Sequence, residues 1–549
     1  MSSRKAHEPR ASHRNAFVEP DQREGNRSAS PALARAVTLH LEGKAQEALD
    51  ELYAALDRGE RNAEIYLALG RLHFELGQYE EAASSYRKLL QADPQHRKAC
   101  FSLAVCLERL GRWEEALERF QRVVEEDAQC AEAQLGVGIC CLHLGRLEAA
   151  LDAFNRCLER KPQQEAAELG KAVALQLQGC LEEARQLYRR ILRRNPASEE
   201  ALGNLVAAEM ARQDFDAVRE AAEQLLSLRP DSRVALEGLA AAALARGEWD
   251  AAAGFCTRLV ETLPDHFEAW FNLGVAHQRA GRLEEAVRAY AQAARLRADA
   301  PQVHVNLGTV NQELGDLAAA RKAYERALRL EPNHEIAGWN LALLLEQVGE
   351  TEAAEKLYQR LLETGSDWEE ARFRLGYLRL QQGDPMRSAE WFEQCVARRS
   401  DWTAAWINLG IARWKLGDRK AARRAFEQAL ALQPDSNEAL RGLAALALED
   451  DDVATALELH LRLIERGERS PEVLYNVALL RQRSGRLEEA ADFYRQALEA
   501  DSDFAEALLN LGHALEALGQ KDEARRCWRK ALEVRPEFAH GYFEPQEPS

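Results

Sequence analysis

The sequence repeats itself every 34 residues, and self-similarity at such a period constrains a fold more tightly than composition can. Counting from Ala29, the frame gives fifteen repeats to Phe538 with no insertion, leaving tails of 1–28 and 539–549. One phase in the second half of each repeat is alanine in thirteen of the fifteen; Val218 and Ser388 are the exceptions. A turn phase is glycine in thirteen, among them Gly77, Gly111, Gly281 and Gly519, and only Gln213 and Asp451 break it. Glycine is expected where a helix ends in the left-handed region. Eight repeats then place proline where a second helix must stop: Pro94, Pro162, Pro196, Pro230, Pro264, Pro332, Pro434 and Pro536.

Between these marks the apolar residues fall at helical spacing. Phe267 to Ala300 carries Trp270, Leu273, Gly274, Ala286 and Tyr290, and the next repeat carries Leu307, Gly308, Ala320, Tyr324 and Pro332. Each repeat therefore reads as a helix hairpin that cannot bury both its faces alone, so neighbours must stack. On these residues the chain resembles the tetratricopeptide repeat family. The resemblance implies an all-α, right-handed superhelical solenoid of helix-turn-helix repeats whose first helices line an inner groove. Repeats 199–232, 369–402 and 437–470 depart from the pattern, the last through Glu449 to Asp452 at its turn and His460 in an aromatic phase. They read as drift, or else as hinges or an acidic docking loop.

Charge and chemistry narrow the function. A net charge of -18 over 549 residues is the wrong sign for neutralising phosphates, so neither nucleic acid nor an anionic membrane is expected as partner. The chain has no apolar run of membrane-spanning length and no apolar stretch near its start, which points to the cytoplasm. Its ten cysteines form no CxxC pair, so they read as reduced structural thiols, with Cys140, Cys157 and Cys256 facing inward and slow to react. No metal or cofactor is expected. GxxxxGK[ST], HExxH and GxSxG are missing from the sequence, and LGVGICC lacks a third glycine. Recurrent pairs such as Glu284 with Glu285 start second helices, where they complement the helix dipole. The chain is not expected to be an enzyme, and both tails are expected to be mobile and dispensable.

Function is then expected on a surface. If positions 4, 7, 8 and 11 of a repeat pack inward, positions 2, 5, 6, 9, 12 and 13 form the free face of the first helix. Position 6 holds Asn204, Asn272, Asn306, Asn340, Asn408, Asn476 and Asn510, seven of fifteen asparagines in the chain. A row of amides can bond an extended peptide backbone, and this one resembles the asparagine ladder of the O-linked N-acetylglucosamine transferase superhelix. The same residues could equally be solvated or cap-like. Only eleven residues follow the last repeat, so no transferase activity is carried over. The carboxylate-clamp pattern fails too, because position 2 is mostly acidic: Glu64, Glu132, Glu200, Glu268, Glu370, Glu438, Glu472 and Glu506. Phe271, Trp339, Phe373, Tyr377, Ile407, Trp414 and Tyr475 are anchors for a partner or packing within their own hairpins. Arg374 holds a partner carboxylate or pairs with Glu346 or Glu370. The expectation is a non-catalytic scaffold for a protein or peptide partner, centred on repeats eight to twelve. The alternatives are a regulatory or substrate-recruiting subunit of a separate enzyme, such as a glycosyltransferase, or a self-assembling homo-oligomer.

Overall fold

The computed structural model describes residues 30–364 and 368–539, so the expected N-terminal tail and all but Ala539 of the C-terminal one lie outside the described residues. Among the described residues there are 30 α-helices, two to a repeat, and a closing 3-10 turn at Pro536–Ala539. No described residue is in a strand, and no described helix is long and apolar enough to cross a membrane.

Repeat eight shows how the local sequence does this. His266 Nδ1 accepts from the Ala269 amide at 3.1 Å and starts the first helix, Phe267–Arg279. Gly281, at φ +75°, turns the chain, and Glu284 and Glu285 open the second helix, Leu283–Leu296. The two repeats without a turn glycine keep the same turn, with Gln213 at φ 60° and Asp451 at φ 56°. The left-handed conformation is thus imposed by the packed hairpin and not by glycine.

The inward set is wider than the expected one. Ala269, Leu273, Gly274 and Ala276 are buried, which are positions 3, 7, 8 and 10. Positions 4 and 11 are also buried in most repeats, as in Leu202, Leu236 and Leu440 or Leu107, Cys141 and Leu345. In repeats eight and twelve position 4 is half-buried and joins repeats, the indole N–H of Trp270 donating to the Pro264 carbonyl at 2.8 Å and that of Trp406 to the Ser400 carbonyl at 2.9 Å. The core ring comes from position 24 of the second helix. Tyr86, Phe120, Phe154, Tyr188, Tyr290, Tyr324, Tyr358, Phe392, Phe426 and Tyr494 are all essentially buried. Position 8 is glycine in repeats eight and nine because a Cβ at Gly274 would stand 2.5 Å from Tyr290, and one at Gly308 2.4 Å from Tyr324.

The described residues form two compact parts, divided between Ala298 and Asp299. The division falls at none of the three irregular repeats. In the first part the largest buried cluster runs from Ala82 to Ala242. Irregular repeat six lies within it and carries Glu209, fully buried, with Arg212 donating at 2.7 Å and Arg189 at 3.4 Å. In the second part smaller clusters follow one another, such as Val305 to Leu378 and Leu380 to Ala425.

Candidate binding face

In several repeats position 6 of the first helix meets the position-24 residue of the preceding repeat, and its chemistry follows that neighbour. Where the neighbour is Phe120, Phe154 or Phe426, position 6 is Gly136, Gly170 or Gly442, and a Cβ there would lie 2.6, 2.4 or 2.5 Å from the ring. Where the neighbour has a polar tip, position 6 is polar. Asn340 bonds the Tyr324 hydroxyl, Ser102 that of Tyr86, and Asn476 Nδ2 lies 3.2 Å from His460 Nε2. Asn510 donates instead to the Tyr475 hydroxyl at 2.8 Å. The asparagine row is therefore partly a packing device. Asn204, 1% exposed, is a correction to the expected face, because no partner can reach it. Asn272 and Asn306 are half-buried. Asn408 follows the apolar Phe392; its Nδ2 donates to the Ala404 carbonyl of its own helix at 2.8 Å, so the amide is not spent between repeats.

Several aromatic residues at position 5 are bracketed by rings of their own repeat. Trp339 stacks on Trp368 at 5.3 Å and meets Tyr358 at 5.5 Å. Phe373 stacks on Trp402 at 4.8 Å, with Phe392 edge-on at 5.4 Å. Tyr475 meets Phe504 at 5.0 Å and Tyr494 at 5.8 Å, and Phe271 meets Tyr290 at 5.8 Å. Each packs in its hairpin yet stays half-buried, with part of the ring presented outward. Tyr377, Ile407 and Trp414 are also half-buried, and the Trp414 indole donates to Glu449 Oε1 at 3.0 Å.

Arg374 pairs with Glu346, Nη1 to Oε1 at 3.1 Å, while the Tyr358 hydroxyl donates to Oε2 of the same carboxylate at 2.9 Å. Of its two readings, pairing within the array is the one present. Many of the acids at position 2 are likewise engaged by a cation at position 31 of their own repeat: Glu268 by Arg297 at 2.8 Å, Glu370 by Arg399 at 3.6 Å, Glu132 by Lys161 and Glu506 by Arg535.

One feature escaped the sequence reading. A cavity of about 410 Å³ opens in the second part between repeats thirteen and fourteen, lined in part by Arg441, His460, Glu468, Ser470, Glu472 and Asn476. Its signal lay in three phases at once. Positions 5, 24 and 34, all aromatic in repeats ten, eleven and fourteen, are Arg441, His460 and Ser470 in repeat thirteen.

Family models described as tetratricopeptide repeat match residues 33–97, 204–265, 305–369, 341–405 and 407–471; 73–138 and 110–178; 265–333; and 505–538. A further TPR repeat model matches 478–519. No curated protein matches in sequence. Among solved structures, YrrB, titled a TPR protein with an unusual peptide-binding site, is 23% identical over 35% of this chain and 98% of its own, with a TM-score of 0.32. A tetratricopeptide repeat protein from Parabacteroides merdae is 19% identical over 48% of this chain and 98% of its own, at 0.34. The Cut9-Hcn1 hetero-tetramer of APC/C is 14% identical over 84% and 98%, at 0.31. Scores this low carry nothing about arrangement or ligand, whereas the repeat models account for well over half of the residues. The chain belongs to the tetratricopeptide repeat family.

Proposed function

We propose that the chain is a non-catalytic scaffold that holds a partner polypeptide on the first-helix face of repeats ten to twelve. Three consecutive first helices, Glu335–Gln347, Glu369–Gln381 and Thr403–Lys415, carry Trp339, Phe373, Tyr377, Ile407 and Trp414 at positions 5, 9 and 12. Half-buried aromatic and aliphatic side chains of this kind are the usual energetic centres of protein interfaces. The observation that carries the reading is Asn408, whose neighbour Phe392 offers it no polar tip, so that its amide serves no inter-repeat bond and stands beside Ile407 on this face. Asn272, Asn306 and Asn340 add little to affinity in this reading, and Arg374 acts in the array through Glu346 and not on a partner.

Photo-cross-linking tests this. A benzoylphenylalanine placed at Ile407 or Trp414 is expected to form adducts with one recurrent polypeptide from native extract. The same group at exposed Arg424, on the second helix Arg419–Leu432, is expected to form none. Equal labelling from both positions, or labelling from Arg424 alone, would remove the site.

A further inference from the structure

The cavity of repeat thirteen follows from what that repeat lacks. In repeats ten, eleven and fourteen the rings at positions 5 and 34 pack on each other: Trp339 on Trp368 at 5.3 Å, Phe373 on Trp402 at 4.8 Å and Tyr475 on Phe504 at 5.0 Å. Repeat thirteen has Arg441 and Ser470 at these two positions and the small ring of His460 at position 24. About 410 Å³ is left open, within the range of sites that hold a small organic group.

The polar side chains around it are engaged within the array or exposed. His460, 4% exposed, donates from Nδ1 to the Ala456 carbonyl at 2.7 Å and accepts on Nε2 from Asn476 Nδ2 at 3.2 Å, so the imidazole is neutral. Ser470 Oγ accepts from the Val473 amide at 3.4 Å, and Glu468 accepts from Arg441 at 2.6 Å. Glu472 is exposed. A polar occupant would give up its own water for groups that are already taken, which is unfavourable. What the walls offer instead is apolar surface from Ala445, Leu448, Leu463 and Val473, and the flat guanidinium of Arg441, fixed by Glu468. Guanidinium planes pack on aromatic faces. The array already uses that contact, with Arg399 over Trp402 at 4.4 Å and Arg297 over Phe267 at 3.9 Å. The cavity is also continuous with the face of repeat twelve, because Leu463 and Val473 belong to one apolar cluster with Ile407, Ile411 and Trp414.

We propose that this cavity takes an aromatic side chain of the polypeptide that the array holds. The ring enters between the first helices Asn437–Glu449 and Pro471–Arg483, fills the space that ring pairs fill in repeats ten, eleven and fourteen, and packs on the Arg441 guanidinium. The assignment deepens the polypeptide-binding reading and rests on it. An anionic residue would meet Glu468 and Glu472, and a cationic one would meet Arg441 with Glu468 already paired. An aliphatic residue of the same size would bury the same walls without the contact to the guanidinium plane.

The test uses the full chain and the N-acetyl amides of tryptophan, phenylalanine, cyclohexylalanine, lysine and glutamate, which present each side chain as a polypeptide does, titrated by saturation-transfer NMR. The tryptophan and phenylalanine probes are expected to bind at least about tenfold tighter than the lysine and glutamate ones. Phenylalanine is expected to bind about threefold tighter than cyclohexylalanine, its saturated and more apolar counterpart. Arg441→Lys keeps a cation for Glu468 without the flat guanidinium, and is expected to abolish the preference for phenylalanine over cyclohexylalanine. A second variant, R441F/S470W, installs the residues that repeat eleven has as Phe373 and Trp402. It is expected to keep native helicity and to weaken binding of the tryptophan and phenylalanine probes at least tenfold. No saturable binding of these two probes, equal binding of phenylalanine and cyclohexylalanine, or undiminished binding to the filled variant would overturn the proposal. Cross-linking at Ile407 and Trp414 is read separately, so the cavity assignment can fail while the wider reading stands.

Discussion

At the scale of single residues, the recurring contact is between position 6 and the ring of the preceding repeat. The contact is tight enough to be tested directly. Gly136→Ala places a Cβ 2.6 Å from Phe120, a ring with no free space around it, and is expected to destabilise its repeats by about 2 kcal/mol in urea unfolding. The thiols sort by burial in the same way. Burial pushes Cys106, Cys256 and Cys395 up to about 12 and Cys157 to about 11. Cys180, by contrast, is exposed at the start of the second helix Leu181–Arg194, which the inward reading of the thiols did not foresee. A thiol reagent is expected to titrate one cysteine rapidly, half-buried Cys130 and Cys527 more slowly, and the seven buried ones only on unfolding; Cys180→Ser should abolish the rapid phase. Burial also holds His460 below its ordinary value. A native pKa below the unfolded one means that the unfolded chain binds the proton more tightly. The contribution of neutral His460 is therefore complete above about pH 6.5 and is lost as pH falls from there through the folded value. The urea midpoint of repeat thirteen is expected to drop between pH 7.5 and 5.5, in a pocket where Glu468, Glu472 and Arg441 also face the cavity, and to drop less in His460→Phe.

At the scale of the element, the hairpin was legible because everything that specifies it is local. The glycine turn, the stopping proline and the 34-residue period each mark a boundary that sequence spacing alone fixes. The turn survives at Gln213 and Asp451, where left-handed backbone costs a residue with a Cβ about 1 kcal/mol or more. Gln213→Gly is expected to slow hydrogen exchange in repeat six by an amount equivalent to about 0.5 kcal/mol, the gain being reduced by the added freedom of the unfolded chain. What the sequence did not disclose lies between elements. An asparagine on a first helix has the same spacing whether it meets a partner or the Tyr324 hydroxyl, so the row at position 6 could not be divided into packing and surface members without the neighbouring helix. Positions 3 and 10, buried beside the expected 4, 7, 8 and 11, have a similar origin, and Trp270 reads as core until its indole is seen bonded across the repeat boundary. His460 was visible as an anomaly, but the cavity required Arg441 and Ser470 to be absent rings at the same place.

At the scale of the molecule, within each of the two compact parts a hairpin packs mainly on its immediate neighbours, so stability there is close to a sum of repeat and interface contributions and a change in one repeat stays local. Substitutions on the free face of repeat twelve should thus leave the first part and the distant repeats of the second part folded, and loss of binding can be read without loss of structure. The most direct measurement is the affinity of the cross-linked partner for the full chain carrying Ile407→Ala, Asn408→Ala and Trp414→Ala. A matched set, Lys420→Ala, Arg424→Ala and Glu427→Ala, alters the exposed side of the adjoining second helix. The first set is expected to weaken binding at least tenfold, about 1.4 kcal/mol, with helicity unchanged, and the second to leave it within twofold. Weakening by the second set, with full affinity retained by the first, would contradict the account.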